Sequence, residues 1–321
     1  MSPQRPSLRR DQAGYSLLEL MVSMAVLMIV SGTALDGVFR LTRTSATISN
    51  RTSMHSGVRN ATELLQQEVG QAGRVALPNR VRLTDGIAPG TATVGVEAID
   101  ESGNVLNTEN GVDAMFVGEK IVVGTGATEE TVTLAAVNTG TNQITATFVN
   151  AHANAEPLHV YGGFGYGVVP PTITNGSSAT VLKIFGDINS DGNLEYVEYT
   201  CDTQAGNLYR RTMAFDATSK PAIGPEMALL NNIKPNPDGT ACFTYQERAV
   251  NNIPYVVDVA ITLTVETPDP DPVTGLHQEE TKALLNVAPR NVFNVWQLAG
   301  LGITNRVQPT PATVTTLMGL P

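Results

Sequence analysis

The sequence predicts an α+β protein: a long N-terminal helix packed on antiparallel β-sheet, with an additional β-rich insert. Three observations predict it. Residues 15 to about 72 contain no proline and repeat apolar residues at helical spacing. After Pro78, short strand-like runs alternate with turn signals. The last two runs flank D-P-D-P-V-T-G, which reads as a long hairpin loop.

The helix opens with a run of Leu, Met, Val, Ile and Ala from Tyr15 to about Leu35. About 20 such residues in a helix span a bilayer. Residues 1–14 carry Arg5, Arg9 and Arg10 against Asp11, and a cationic flank of this kind stays on the cytoplasmic side. A secretory signal has a shorter core followed by a small-residue cleavage site; here the small residue, Gly14, precedes the core. Beyond it, Leu35, Val38, Phe39 and Leu41 continue the apolar pattern, and Thr42 to Gly57 is polar and rich in Ser and Thr. Val58, Ala61, Leu64, Leu65 and Val69 then form a helical stripe interrupted by one acid, Glu68. One helix over residues 15–72 would be about 80–90 Å long. Gly32 and Gly37 are its expected weak points, Gly70 and Gly73 its end, and Pro78 bars continuation.

The β-rich insert is placed at 85–162, with strands expected at Ala92–Val96, Ala114–Val117, Lys120–Val123, Thr131–Val137 and Gln143–Val149. N-T-G-T-N at 138–142 reads as a hairpin turn. G-G-F-G-Y-G at 162–167 is a junction; it departs from G-x-G-x-x-G and lacks a βαβ context, so a dinucleotide site is rejected. The antiparallel domain at 163–292 holds runs at Ala179–Phe185, Leu194–Cys201, Leu208–Phe215, Thr240–Gln246, Tyr255–Val265 and Thr281–Val287. The tail, 293–321, contains Pro309 and Pro311 and is expected to be partly extended, and Trp296 is expected in the core or a subunit interface.

The formal charge is −10, and loss of residues 1–14 would take it to −12. Phosphate contacts need basic surface, so nucleic acid is excluded as a partner. Cys201 and Cys242 lie in the part expected outside the cytoplasm, where an even count predicts one disulfide.

Glu19 lies near the start of the apolar run, where a carboxylate costs roughly 2.5–3.5 kcal/mol unless it has a partner. Cleavage after Gly14 would make Tyr15 the new N-terminus and Glu19 its fifth residue, so that Glu19 could neutralise the free amine of a neighbouring chain. A buried ion pair of that kind would set the register of packed apolar helices. The combination of basic leader, Gly14, Tyr-Ser-Leu-Leu-Glu-Leu and a long apolar helix resembles the class III signal of type IV pilins and pseudopilins. That resemblance implies cutting after Gly14 and methylation of Tyr15 by a prepilin peptidase, and assembly through Glu19. Tyr15 stands where the family usually has Phe. T-K-A-L-L-N-V-A-P-R-N-V-F, with Arg290-Asn291 near its end, more loosely resembles the last strand of PilW-like minor pilins. The implied protein is a minor pilin of a type IV pilus, anchored in the bacterial inner membrane by one span, with a periplasmic domain that later reaches the pilus. Other minor pilins and the major pilin would be its partners. A J-type pseudopilin of type II secretion would share the anchor, and from other classes come a membrane-anchored calcium-dependent adhesin and a periplasmic hydrolase, the latter needing a nucleophile that the sequence does not offer.

One constellation carries chemistry. Asp187 to Glu198 fits D-x-[DN]-x-[DN]-G-x5-E, a spacing whose oxygens converge on a hard cation as the loop wraps. The flanking runs read as strands, so the expectation is a Ca²⁺ loop between two strands. Its ligands would be Asp187, Asn189, Asp191, the Asn193 carbonyl and Glu195 or Glu198, with Glu198 favoured. His55, His152, His159 and His277 show no metal spacing, and His152 and His159 are expected to be solvated or half-buried. G-x-S-x-G is missing and the cysteines have a better use, so no enzyme is expected.

Overall fold

The computed structural model describes residues 14–320. The expected leader lies outside the described residues except for Gly14. Helix α1 spans Leu17–Gln71, 55 residues, and runs unbroken through Gly32 and Gly37. At 1.5 Å per residue it is about 82 Å long. It ends where Gly73 takes a φ of +83°, and a Cβ there would lie 2.9 Å from the Phe164 carbonyl oxygen. Only glycine accepts both constraints.

The polypeptide then builds seven short strands: β1 (Arg80–Leu83), β2 (Gly90–Ile99), β3 (Lys120–Val123), β4 (Glu130–Thr133), β5 (Ala136–Asn138), β6 (Gln143–Phe148) and β7 (Pro157–Val160). They form one antiparallel sheet in the order β4-β3-β7-β1-β2-β6-β5. Its core, with Leu83, Val96, Ile121, Ile144, Phe148 and Leu158, is separate from that of α1. Asn138 pairs with Gln143 across the expected hairpin turn. Two expectations fail here. Ala114–Val117 forms no strand, because the chain turns at Ala114 with φ +63°. Thr131–Val137 is two strands, because the Leu134 and Ala135 amides leave the ladder for the carbonyls of Glu119 and Thr145.

After β8 (Gly163–Phe164) come β9 (Val181–Gly186), β10 (Glu195–Asp202), β11 (Asn207–Ala214) and β12 (Ala228–Asn231), an antiparallel sheet in the order β12-β11-β10-β9. A further sheet is centred on β15 (Ile253–Glu266), paired with β13 (Ile233–Lys234), β14 (Phe243–Val250) and β16 (Glu279–Val287). The C-terminal half of α1 packs across both sheets. Met54, Val58, Ala61, Leu65 and Val69 meet Leu182, Ile184, Val197, Tyr199 and Leu208 of one and Phe243, Val259 and Ile261 of the other. Each buried Val, Leu, Ile, Met or Phe side chain among them contributes roughly 1.5–3 kcal/mol. The sulfurs of Cys201 and Cys242 are bonded, joining the two sheets.

The tail is the main correction. Residues expected to be partly extended form α2 (Arg290–Gly300), β17 (Val307–Gln308) and α3 (Ala312–Gly319). Pro309 and Pro311 precede α3, and Pro311 stands at its N-cap, so neither ring falls inside a helix. Val314, Leu317 and Met318 are buried against Phe185, Tyr196 and Met213 on the face of β9–β11 opposite α1. That sheet is therefore covered on both faces. Gln308 bridges the tail to the insert: its Oε1 accepts the Lys120 amide at 2.9 Å, and its Nε2 donates to the Lys120 carbonyl at 2.8 Å. On α2, Trp296 is half-buried and packs on Phe293 at 5.3 Å between centroids.

Candidate functional site

The first half of α1 has nothing against it. Its membrane-length window is 0% buried, and Leu17, Leu18, Met21, Leu27, Met28 and Ile29 all face outward. Gly14 and Tyr15 precede the helix, and Glu19 lies in its first turn, where a carboxylate suits the positive end of the helix dipole. An isolated soluble chain would not leave so long an apolar surface uncovered; such a patch marks a membrane or a protein partner. Farther along, the loop between β15 and β16 folds back on the polar middle of α1. Thr47 donates to Asp271 at 2.8 Å and Asn50 to the Asp269 carbonyl at 3.3 Å, and beyond the loop His55 pairs with Glu280 at the start of β16. The Ser/Thr-rich stretch, weak as an isolated helix, is held by these contacts.

Residues 9–35 match the family described as the prokaryotic N-terminal methylation motif. The chain carries a class III prepilin signal. That signal supports a type IV pilin or pseudopilin, a structural protein processed by prepilin peptidase and assembled with other pilins. Together with the apolar helix, it fits inner-membrane anchoring of a pilin. No curated protein and no solved structure matches the chain.

Glu68, the acid interrupting the helical stripe, pins α1 to the sheet. Its buried carboxylate accepts from the Tyr199 hydroxyl at 2.5 Å and from Arg210 at 2.7 Å, and Tyr199 and Arg210 are themselves cross-strand partners. Burial lowers the Arg210 pKa, but the Glu68 bonds outweigh it and hold the guanidinium above its ordinary value. Burial and the same carboxylate push the Tyr199 hydroxyl up. The sequence signal for this contact was the lone acid on an apolar face; its partners could not be read from spacing.

The acidic loop is divided by the strand that follows it. Side chains alternate across a strand, so Glu195 and Glu198, three apart, fall on opposite faces of β10. Glu195 shares the α1 side with Val197 and Tyr199. Glu198 faces the tail, where Lys220 donates at 2.7 Å, Tyr196 at 2.7 Å, and Arg211 also pairs with it. Burial raises the Glu198 pKa, but these donors overrule it and hold the carboxyl below its ordinary value. Lys183 and Lys220 also donate to the Met318 and Leu320 carbonyls, binding the end of α3 to this cluster. Glu198, the acid favoured above to complete a Ca²⁺ loop, is thus engaged by Lys220, Arg211 and Tyr196 on the face of β10 away from α1.

The other expected ligands lie near the end of α1. Asp187 is fully buried; its Oδ1 accepts the Gly192 amide at 3.2 Å, and its Oδ2 lies 3.3 Å from Arg74 Nε. Asn189 donates to Asp191 at 2.9 Å, and Asp191 accepts the Asn193 amide at 2.8 Å, the first cause holding the Asp191 carboxyl below its ordinary range. Glu195 is pushed up by burial, opposed by Arg210 and reinforced by Asp191. Among the described residues, no three or more His, Cys, Asp or Glu side chains are gathered to hold a metal. His152, expected to be solvated or half-buried, is buried and bonded to Glu130 at 2.8 Å.

Proposed function

We propose that the chain is a PilW-like minor pilin of a type IV pilus, inserted as a prepilin, cut after Gly14, methylated at Tyr15 and assembled into a filament-priming or tip complex. The observation that carries this reading is the uncovered apolar helix from Leu17 to Leu41, continuous with a rigid rod locked to an acidic β domain. The prepilin signal at 9–35 supports it. Glu19 supplies the carboxylate for a neighbour's terminal amine, and apolar helices pack around that pair. The mechanism is assembly without turnover: apolar helices associate by close packing against one another, and the pair restricts register.

The test is Glu19→Ala in the native host, with surface pili counted by electron microscopy and the protein level checked in the membrane fraction. Few or no pili at unchanged protein level is the expected result. Normal piliation with a stable variant refutes the assembly role. Normal piliation with lost protein secretion transfers the chain to the J-type pseudopilins. Mass spectrometry of the native protein checks processing independently, by a mature N-terminus at methylated Tyr15.

A further inference from the structure

We infer that Arg74 is the cation that closes the 187–195 loop, standing where a divalent ion would be expected from its D-x-N-x-D-G sequence. This inference is independent of the assembly role. Asp187 is buried without solvent, and a buried carboxylate requires a counter-charge or must give up its own charge. The nearest positive charge is the Arg74 guanidinium, 3.3 Å from Oδ2, an oxygen that accepts no hydrogen bond. From the same side chain a terminal nitrogen donates to the Ser190 hydroxyl at 2.5 Å. Arg74 thus reaches the first and fourth residues of the loop at once. Its main chain joins as well, because the Arg74 carbonyl accepts the Asp187 amide at 2.9 Å.

The remaining donors turn inward. Asn189, Asp191 and Asn193 bond to one another, and Glu198 is engaged by Lys220 and Arg211 across the sheet. The packing explains why the loop must be firm. Gly192 takes φ +87°, and a Cβ there would stand 2.4 Å from Pro78 Cα. The loop therefore presses on the segment that leaves α1 and enters β1. Arg74 lies in that segment, three residues past the last residue of α1. One side chain balances the buried Asp187 carboxylate and ties the loop to the helix exit, so the junction of rod, insert and β domain is held by the chain's own charge.

The experiment is thermal unfolding of the full chain in detergent micelles, in millimolar Ca²⁺ and in chelator. Wild type, Arg74→Gln, Asp187→Asn and the double variant are compared. The wild-type Tm is expected to be the same in both buffers. Arg74→Gln should fall by about 5 °C or more in chelator. The double variant should lose less than the sum of the two single losses, since its buried carboxylate is gone. A wild-type Tm raised several degrees by Ca²⁺ overturns the inference, and so does an Arg74→Gln variant as stable as wild type in chelator. Strictly additive losses also overturn it. Should Arg74→Gln fail to fold, calorimetric titration of wild type decides: no heat with Ca²⁺ supports the internal cation, and saturable binding overturns it.

Discussion

Glu119→Gln is the most exposing perturbation of the insert. Glu119 stands just before β3, fully buried, and among the described residues no cation is paired with it. One carboxyl oxygen, Oε2, accepts the Phe116 amide at 3.4 Å, and Oε1 has no hydrogen-bond partner. Burial pushes its pKa from 4.5 up to about 8, opposed only by the Phe116 amide. The folded state therefore keeps this proton over a range in which the unfolded chain has lost it. Stability from that proton is complete below pH 4.5, falls as pH rises, and is gone above about pH 8. A shift of that size corresponds to about 4–5 kcal/mol, an upper bound because the site can relax. Glutamine keeps the shape and removes the titration, although its amide N–H groups still want an acceptor. The informative quantity is consequently the difference between the two pH profiles. Urea unfolding at roughly pH 5, 7 and 9, followed by circular dichroism, measures it, because other groups cancel between variants. The variant should gain on wild type by up to about 4 kcal/mol from the lowest pH to the highest. Parallel profiles would refute a buried neutral carboxyl.

The other contacts make equally direct demands. Glu68→Ala leaves Arg210 without its carboxylate and should cost roughly 3 kcal/mol by denaturant unfolding, with Tyr199→Phe costing less and the double variant showing coupling. Loss of the Cys201–Cys242 bridge, by reduction or by serine at both positions, should cost up to about 4 kcal/mol in the chain-entropy view, for a separation of 41 residues. Leu317→Ala should cost about 2–5 kcal/mol and raise protease cleavage within 304–320, since α3 is held mainly by Val314, Leu317 and Met318.

Much of this molecule was legible because its signals are local. The span from Tyr15 and the signal around Gly14 and Glu19 depend on hydropathy and spacing along one helix, and no distant residue alters them. Val58, Ala61, Leu65 and Val69 declared the packed face by period alone, and the strands of the β domain appear within a few residues of where alternation put them. Ala114–Val117 misled because apolar residues in a turn resemble a short strand until backbone φ is known. The tail misled because prolines mark either extended chain or a helix start, and only Phe185, Tyr196 and Met213, more than a hundred residues earlier in sequence, supply the surface that makes it a helix worth burying.

Electrostatics drew the sharpest line. The run from Asp187 to Glu198 reads as one cation loop, because consensus spacing assumes a single wrapped segment. A strand starting at Glu195 sends Glu195 and Glu198 to opposite faces of a sheet covered on both sides. The sequence by itself determined the rod, its greasy half, the signal at its start and the acid that interrupts its stripe. Tertiary structure alone decided which charges meet: Glu68 with Arg210, Asp187 with Arg74, and Glu198 with Lys220 and Arg211. The physical reason is range. Hydrophobic periodicity is written in neighbours along the chain, whereas a buried charge is satisfied by whatever the fold brings within a few ångströms.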